Sequence, residues 1–195
     1  MSTGQTVHQT SAIVDRAIAA EVVGLSKRFG NLDALDNVSI KIEAGSLHAL
    51  LGENGAGKST LVKCLMGFYQ PTSGQIIIND RECSIPDPRT AQSLGFPCFG
   101  LDFGAVADIR KRLESARNSG TAILLLSEDL DEILELADRI LVISGGAINY
   151  RCSRENADPE ILGHFMAGQS LPTDNANIEP SSSKHKSNSV RSATR

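Results

Sequence analysis

Residues 47–68 read LHALLGENGAGKSTLVKCLMGF, and this stretch decides the fold. Its centre fits the pattern G-x-x-x-x-G-K-[ST] without a mismatch, through GENGAGKS at positions 52–59. A short apolar run precedes the pattern, and apolar residues recur at helical spacing after it. The order is therefore strand, glycine-rich loop and helix, in which the helix N-terminus favours an anion.

The residue types in this loop suit the binding of phosphate groups. Its three glycines lack Cβ atoms, so the backbone can curl and direct successive N–H groups at phosphate oxygens. Lys58 supplies a point charge for β- and γ-phosphates, and the Ser59 hydroxyl can ligate Mg²⁺. We therefore expect a nucleoside triphosphate site with Mg²⁺ at Ser59, formed by Gly52, Glu53, Asn54, Gly55, Ala56, Gly57, Lys58, Ser59 and Thr60.

Composition narrows the remaining classes of protein. The 195 residues, 41% of them hydrophobic, suit one modest domain, and no apolar run has the length that spans a bilayer. The net charge of −4 argues against a nucleic-acid partner, and the polar first residues are not a secretory signal. We interpret the scattered cysteines as reduced thiols of a cytoplasmic protein: Cys64, Cys83, Cys98 and Cys152.

Strands are predicted on both sides of the loop. Residues 21–29, 38–42 and 75–79 are rich in strand-forming side chains, and turn signals lie at 30–31 and 36–37. This arrangement predicts a mixed sheet in which antiparallel strands precede and follow the P-loop strand.

The stretch from KRFG through ALDNVSIKIEAGSLHALLGENGAGKSTLVKCLMGFYQPTSGQIIIND resembles the opening of an ATP-binding cassette (ABC) domain. It is especially similar to ATPase subunits of importers for simple sugars and nucleosides. The resemblance implies an α/β P-loop NTPase fold, ATP and Mg²⁺ as cofactors, and membrane permease subunits and a second cassette as partners. It also implies a place on the cytoplasmic side of the membrane. Phe29 stands where the family stacks an aromatic ring on adenine; the alternative is an ordinary core aromatic.

The resemblance breaks after residue 95. The family's Gln loop, its helical subdomain with the LSGGQ signature and its Asp-Glu (Walker B) strand are missing. FGLDFGA then resembles the D-loop, with Asp102, and the match resumes through a helix at 105–117, a strand at 121–126, a helix at 129–137 and a strand at 139–143. This second part resembles the end of a second cassette.

We interpret the chain as an incomplete ABC nucleotide-binding domain with an internal deletion. Residues 1–19 would be a flexible lead-in, 20–95 first-cassette-like, 100–168 second-cassette-like, and 169–195 a disordered, solvated tail. A natural deletion, a decayed gene and a sequencing or frameshift error all remain possible explanations.

The deletion has consequences for the site. In the family the missing strand lies beside the P-loop strand, so we expect residues 85–100 to form a loop over an apolar edge. Glu128 stands at the position of the family's catalytic His, although we favour a role for Glu128 and Asp129 in capping the next helix. Ser144-Gly145-Gly146 follows a strand and precedes no helix, so it is interpreted as a hairpin turn and not as a signature motif.

Three functions follow from these patterns. The first is the ATPase subunit of an importer for sugars or nucleosides, which couples ATP hydrolysis to uptake. The second is a nucleotide-binding remnant that does not hydrolyse ATP, and the third is a non-enzymatic partner that blocks an intact cassette. The family resemblance favours the first, and the missing motifs favour the second for this chain itself.

Overall fold

The computed structural model describes residues 17–94, 106–127 and 130–169. Across these ranges the chain forms strands and helices in the following order: β1 Ile18–Phe29, β2 Leu32–Glu43, β3 Leu47–Leu51, α1 Lys58–Leu65, β4 Ser73–Ile78, β5 Arg81–Glu82, α2 Pro88–Ser93, α3 Val106–Asn118, β6 Ile123–Leu126, α4 Leu130–Leu136, β7 Arg139–Ser144, β8 Ala147–Ser153, a 3₁₀ turn Arg154–Asn156 and α5 Pro159–Met166.

The strands form two sheets. Sheet A has the order β2-β1-β4-β5 and is antiparallel throughout. Sheet B has the order β6-β3-β7-β8, with β3 parallel to both β6 and β7, and β8 antiparallel to β7. The prediction of one mixed sheet is therefore wrong: the antiparallel strands around the P-loop strand belong to a different sheet. Parallel strands of one sheet require crossover connections, and α4 lies in the connection from β6 to β7, which flank β3.

Two apolar clusters lie on opposite faces of sheet B. The first joins sheet A and α1 to one face, with Leu50 and Ile143 beside Leu61 of α1. The second joins the other face to α4 and α5, through residues such as Ile133 and Leu162. All five residues of β3 are buried because the strand lies between these clusters. This placement fixes the strand from which the P-loop starts.

The first two strands are longer than predicted. The turn at 30–31 is confirmed, but β2 continues through Asp36 and Asn37, where a second turn was expected. Asn37 adopts a left-handed φ of 52°, and its N–H donates to Ser26 Oγ at 3.0 Å. Asn tolerates this conformation better than most residues. The turn signal at 36–37 therefore corresponds to an irregularity within a continuing strand.

The segment after β5 also differs from the prediction. Residues 85–100 were expected to form a loop, but α2 occupies Pro88–Ser93. Asp87 caps this helix through Oδ1, which accepts from the N–H groups of Arg89 at 2.8 Å and Thr90 at 3.0 Å. Pro88 lacks an N–H group, but an N–H at the first position of a helix has no acceptor within the helix. The proline therefore starts α2 and does not prevent it.

The expected open edge of the P-loop strand is not observed. Both sides of β3 are paired, with β6 on one side and β7 on the other. Among the described residues, the edges of sheet B are β6 and β8, and β6 is the edge strand beside β3. The prediction that the missing strand exposes β3 is therefore wrong.

The second half of the chain otherwise follows the prediction. The expected helices at 105–117 and 129–137 and the strands at 121–126 and 139–143 correspond to α3, α4, β6 and β7. The expected turn at 145–146 joins β7 to β8. No helix among the described residues is long and apolar enough to cross a membrane.

Candidate functional site

The P-loop lies between the buried end of β3 and the start of α1. β3 ends at Leu51, and α1 begins at Lys58, with Gly57 as its N-terminal cap residue. Gly57 contributes no side-chain hydrogen bond to the helix start. Because the first N–H groups of a helix have no acceptor within the helix, this end of α1 can donate hydrogen bonds to an anion.

Lys58 is buried despite its charge, with 9% of its surface exposed. Its ammonium group donates to the carbonyl oxygens of Gly52 at 2.5 Å and Glu53 at 3.0 Å. These bonds fold the long side chain back over the loop. A cation is thereby held beside the backbone that would surround a phosphate.

The outer side of the loop packs against sheet A. Gly57 has a φ of 112°, and a Cβ atom there would lie 2.9 Å from the carbonyl oxygen of Ala34 in β2. Only glycine allows this approach without displacing the strand. Ala56 is nearly buried, and its N–H donates to the carbonyl of Glu53 at 3.1 Å. The loop therefore has a rigid backing.

The hydroxyl residues lie at the helix start, as the pattern predicts. Ser59 is exposed and Thr60 is half-buried in the first turn of α1. The loop residues Glu53, Asn54 and Gly55 are also exposed. Thus the whole predicted set from Gly52 to Thr60 lies in one continuous loop and helix start. Its polar groups can meet a ligand from the solvent side.

Phe29 lies at the end of β1, where it pairs with Leu32 of β2. Phe29 is 39% exposed, so it is not a core aromatic. The ring meets Tyr69 edge-on, with 5.1 Å between the ring centroids, and the Lys27 ammonium lies 4.9 Å from the Phe29 centroid. Sequence reasoning missed Lys27 and Tyr69. The strand period of two could have indicated Lys27, which lies two residues before Phe29 in β1, but the chain order gives no sign that Tyr69 returns beside Phe29. The antiparallel pairing of β1 with β4 brings Tyr69 to this end of β1.

The remaining candidate residues are of two kinds. Asp102, Glu128 and Asp129 lie outside the described residues, as do Cys98 and the tail beyond 169. Cys64, by contrast, is fully buried in α1, and burial raises the pKa of its thiol to about 11. The thiol therefore stays protonated and acts as an apolar packing group beneath the loop.

A further contact to the loop was not anticipated from the sequence. The N–H of Gly146, in the turn between β7 and β8, donates to the carbonyl oxygen of Ala56 at 3.0 Å. The hairpin turn predicted for Ser144-Gly145-Gly146 is confirmed, but its contact with the P-loop depends on tertiary packing.

Comparison with known proteins agrees with this geometry. Residues 35–98 match the family model described as "ABC transporter". A putative ribose/galactose/methyl galactoside import ATP-binding protein of Burkholderia ambifaria is 52% identical over 79 residues, 40% of this chain and 15% of that protein. The ribose import ATP-binding protein RbsA of Corynebacterium glutamicum is 42% identical over 102 residues, 52% of this chain and 19% of that protein. The chain thus spans less than a fifth of the length of these relatives.

Solved structures share the fold. A nucleotide-free ATP-binding cassette from an ABC transporter superposes with a TM-score of 0.64 at 15% identity, covering 76% of this chain and 99% of that one. The ADP conformation of the cassette MJ1267 gives a TM-score of 0.60 at 15% identity, covering 77% and 95%. The P-loop segment of the chain thus matches the ABC transporter family, and the fold is that of solved ATP-binding cassettes. The relatives that share this segment are named as import ATP-binding proteins for ribose and galactose.

Proposed function

We propose that this chain binds Mg·ATP through residues 52–60 and does not hydrolyse it. The observation that carries the proposal is the P-loop itself, built between a buried strand and a helix start with the Lys58 ammonium held over it. Burial of a charged group is costly, and a buried ammonium beside this loop suits the binding of phosphate.

The residues present fit a triphosphate with a magnesium ion. The N–H groups at the start of α1 and the Lys58 ammonium would bind the β- and γ-phosphates. The Ser59 hydroxyl is the oxygen ligand that would hold Mg²⁺ together with phosphate oxygens. When bound, Mg²⁺ supplies positive charge against the phosphates. The exposed ring of Phe29 would stack on the base, since a π-face accepts any base without hydrogen-bond readout.

The proposed lack of hydrolysis follows from the motifs that are missing beside the P-loop. Phosphoryl transfer needs groups that orient water and neutralise charge developing on the γ-phosphate. The LSGGQ signature and the strand closed by Asp-Glu, which the resemblance implies for this task, do not occur in the sequence. Losing one electrostatic donor costs about a hundredfold in rate, and several are lost here.

The carboxyl end of β6 adds an unfavourable charge. Because β6 is parallel to β3 and pairs Leu126 with Leu50, the chain leaves β6 on the same side as the P-loop. The next residue, Ser127, donates to Glu132 Oε2 at 3.0 Å, and Glu128 follows it in the sequence. A carboxylate on this side, such as that of Glu132, would repel a γ-phosphate unless it binds Mg²⁺, so it does not simply replace a catalytic His.

The role of the whole protein is a further part of the proposal. Relatives that share the P-loop segment are named as import ATP-binding proteins for ribose and galactose. We place this chain among ATP-binding components of importers for simple sugars or nucleosides. Its partners would be membrane permease subunits and a second cassette, at the cytoplasmic face of the membrane.

Calorimetric titration of Mg·ATP into the protein tests the binding proposal. Lys58→Ala should weaken binding by about tenfold or more, because a charge-assisted contact to phosphate is removed. Lys111→Ala is the control, since Lys111 is an exposed lysine of another helix, α3. We expect the Lys111 variant to bind as the wild type does. Equal affinity in the wild type and the Lys58 variant would refute the proposed site.

A further inference from the structure

Gly146 connects the P-loop to sheet A through its two peptide groups. Its N–H donates to the carbonyl of Ala56 in the loop at 3.0 Å. Its carbonyl accepts from the N–H of Asp36 in β2 at 2.9 Å. One residue of the β7–β8 turn therefore links the nucleotide loop to a strand of the other sheet.

The space around this residue requires glycine. Gly146 has a φ of 80°, and a Cβ atom there would lie 3.0 Å from the carbonyl oxygen of Ala34 and 3.2 Å from the Cα of Leu35. Gly57 of the P-loop approaches the same carbonyl oxygen of Ala34. The loop, the turn and β2 thus meet closely at one point, and both contacts to β2 depend on a missing side chain.

The bond from Gly146 also sets the direction of an amide in the loop. Ala56 C=O and Gly57 N–H belong to one planar trans peptide unit, so they point in opposite directions. While Gly146 holds the Ala56 carbonyl toward the turn, the Gly57 N–H must point away from the turn. Without this bond, the orientation of that peptide unit is left to the packing of Gly57 against Ala34, Leu35 and Ile143.

We infer that Gly146 is a positioning residue for phosphate binding, which holds the Ala56–Gly57 peptide so that the Gly57 amide faces the phosphate chain. The inference rests on the proposed binding of Mg·ATP by this loop. Gly146 itself does not touch the ligand. Its effect should therefore appear in the affinity for the phosphate chain, whether or not a base is attached.

The test compares Gly146→Ala with Gly145→Ala in the full chain. Both glycines have a left-handed φ, 80° and 58°, so both substitutions strain the backbone. A Cβ on Gly145 meets nothing within 4 Å, and Gly145 therefore controls for the strain alone. We expect Gly146→Ala to weaken binding of Mg·ATP and of tripolyphosphate by about tenfold, the effect of one hydrogen bond to a charged group. Gly145→Ala should leave both affinities unchanged. Equal affinities in the two variants would overturn the inference.

A second variant removes the donor without adding an atom that can clash. Replacing the amide N–H of Gly146 by an ester oxygen deletes the bond to Ala56 and keeps the shape of the turn. We expect the ester variant to lose affinity for tripolyphosphate like Gly146→Ala, while its unfolding temperature stays no lower than that of Gly145→Ala. Wild-type affinity in the ester variant would show that Gly146 has only a packing role.

The exchange rate of the Gly57 amide separates this inference from the proposed function, because the measurement needs no ligand. The Gly57 amide hydrogen should exchange faster in Gly146→Ala than in Gly145→Ala, because the loosened Ala56–Gly57 peptide unit reorients. If the wild type binds neither Mg·ATP nor tripolyphosphate, the proposed function has failed, and the claim of phosphate positioning fails with it. If the wild type binds both and the Gly57 amide exchanges equally in the two variants, only the positioning claim fails.

Discussion

At the scale of single residues, Phe29 shows how a candidate binding group is prepared by its neighbours. Tyr69 meets the ring edge-on at 5.1 Å, and the Lys27 ammonium lies 4.9 Å from its centroid while also donating to the carbonyl of Gln70 at 2.7 Å. These contacts limit rotation of the ring, although Phe29 still exposes 39% of its surface. A restrained, exposed ring loses less entropy when a base stacks on it.

We predict that Phe29→Ala weakens the binding of Mg·ATP and leaves the binding of tripolyphosphate unchanged. Stacking of a base on an aromatic side chain contributes about 1–3 kcal/mol, which corresponds to roughly fivefold to a hundredfold in affinity. Calorimetry with both ligands measures the two effects separately. Phe68→Ala is the control, because Phe68 is also an exposed phenylalanine. A loss of tripolyphosphate affinity in Phe29→Ala would mean that the ring supports the loop and does not bind the base.

At the scale of elements, α2 depends on the cap that Asp87 provides. Hydrogen bonds from the Thr90 backbone, together with those from the Thr90 side chain and the Arg89 N–H, lower the pKa of Asp87 below its ordinary value of 3.8. The carboxylate therefore stabilises the folded state above pH 3.8, and this contribution is lost as the pH falls through the lowered pKa.

We predict that Asp87→Ala lowers the unfolding temperature at neutral pH, and that the difference from the wild type narrows below pH 3.8. Asp87→Asn is the matched variant, since Asn also caps helices but does not titrate. Its difference from Asp87→Ala should change little with pH. Thermal unfolding followed by circular dichroism measures these differences. A gap between wild type and Asp87→Ala that stays constant through this range would show that the carboxylate charge does not stabilise α2.

The outer side of β6 gives a second prediction at this scale. The Ile123 N–H donates to Ser46 O at 2.9 Å, toward β3. Since successive residues of a strand alternate in direction, the Leu124 and Leu126 amides should face the unpaired side. We predict that these two amides exchange faster than those of Ile123 and Leu125 in hydrogen-exchange NMR. Equal protection of all four amides would show that another strand pairs with β6. This result would contradict the interpretation that a strand is missing from the sheet.

At the scale of the whole molecule, the sequence predicts the local elements better than their assembly. The P-loop, α1 and the order of elements in the second half could be read from spacing and periodicity, because each signal lies within a few neighbouring residues. The division into two sheets could not, since the residues of β3 are buried on both faces and do not specify which strands lie beside them. The same holds for Gly146, which contacts Ala56 only through packing of the hairpin turn on the loop.

Retention of intact ATP is the property that tests the proposed function most directly. The most direct measurement incubates the protein with radiolabelled Mg·ATP, separates the protein from free nucleotide, and identifies the nucleotide that stays bound. Lys58→Ala serves as the control. We predict that the wild type retains nucleotide, that the retained nucleotide is ATP, and that Lys58→Ala retains little of it. Recovery of ADP from the wild type, with none from Lys58→Ala, would contradict the proposed function. Failure of the wild type to retain any nucleotide would contradict it as well.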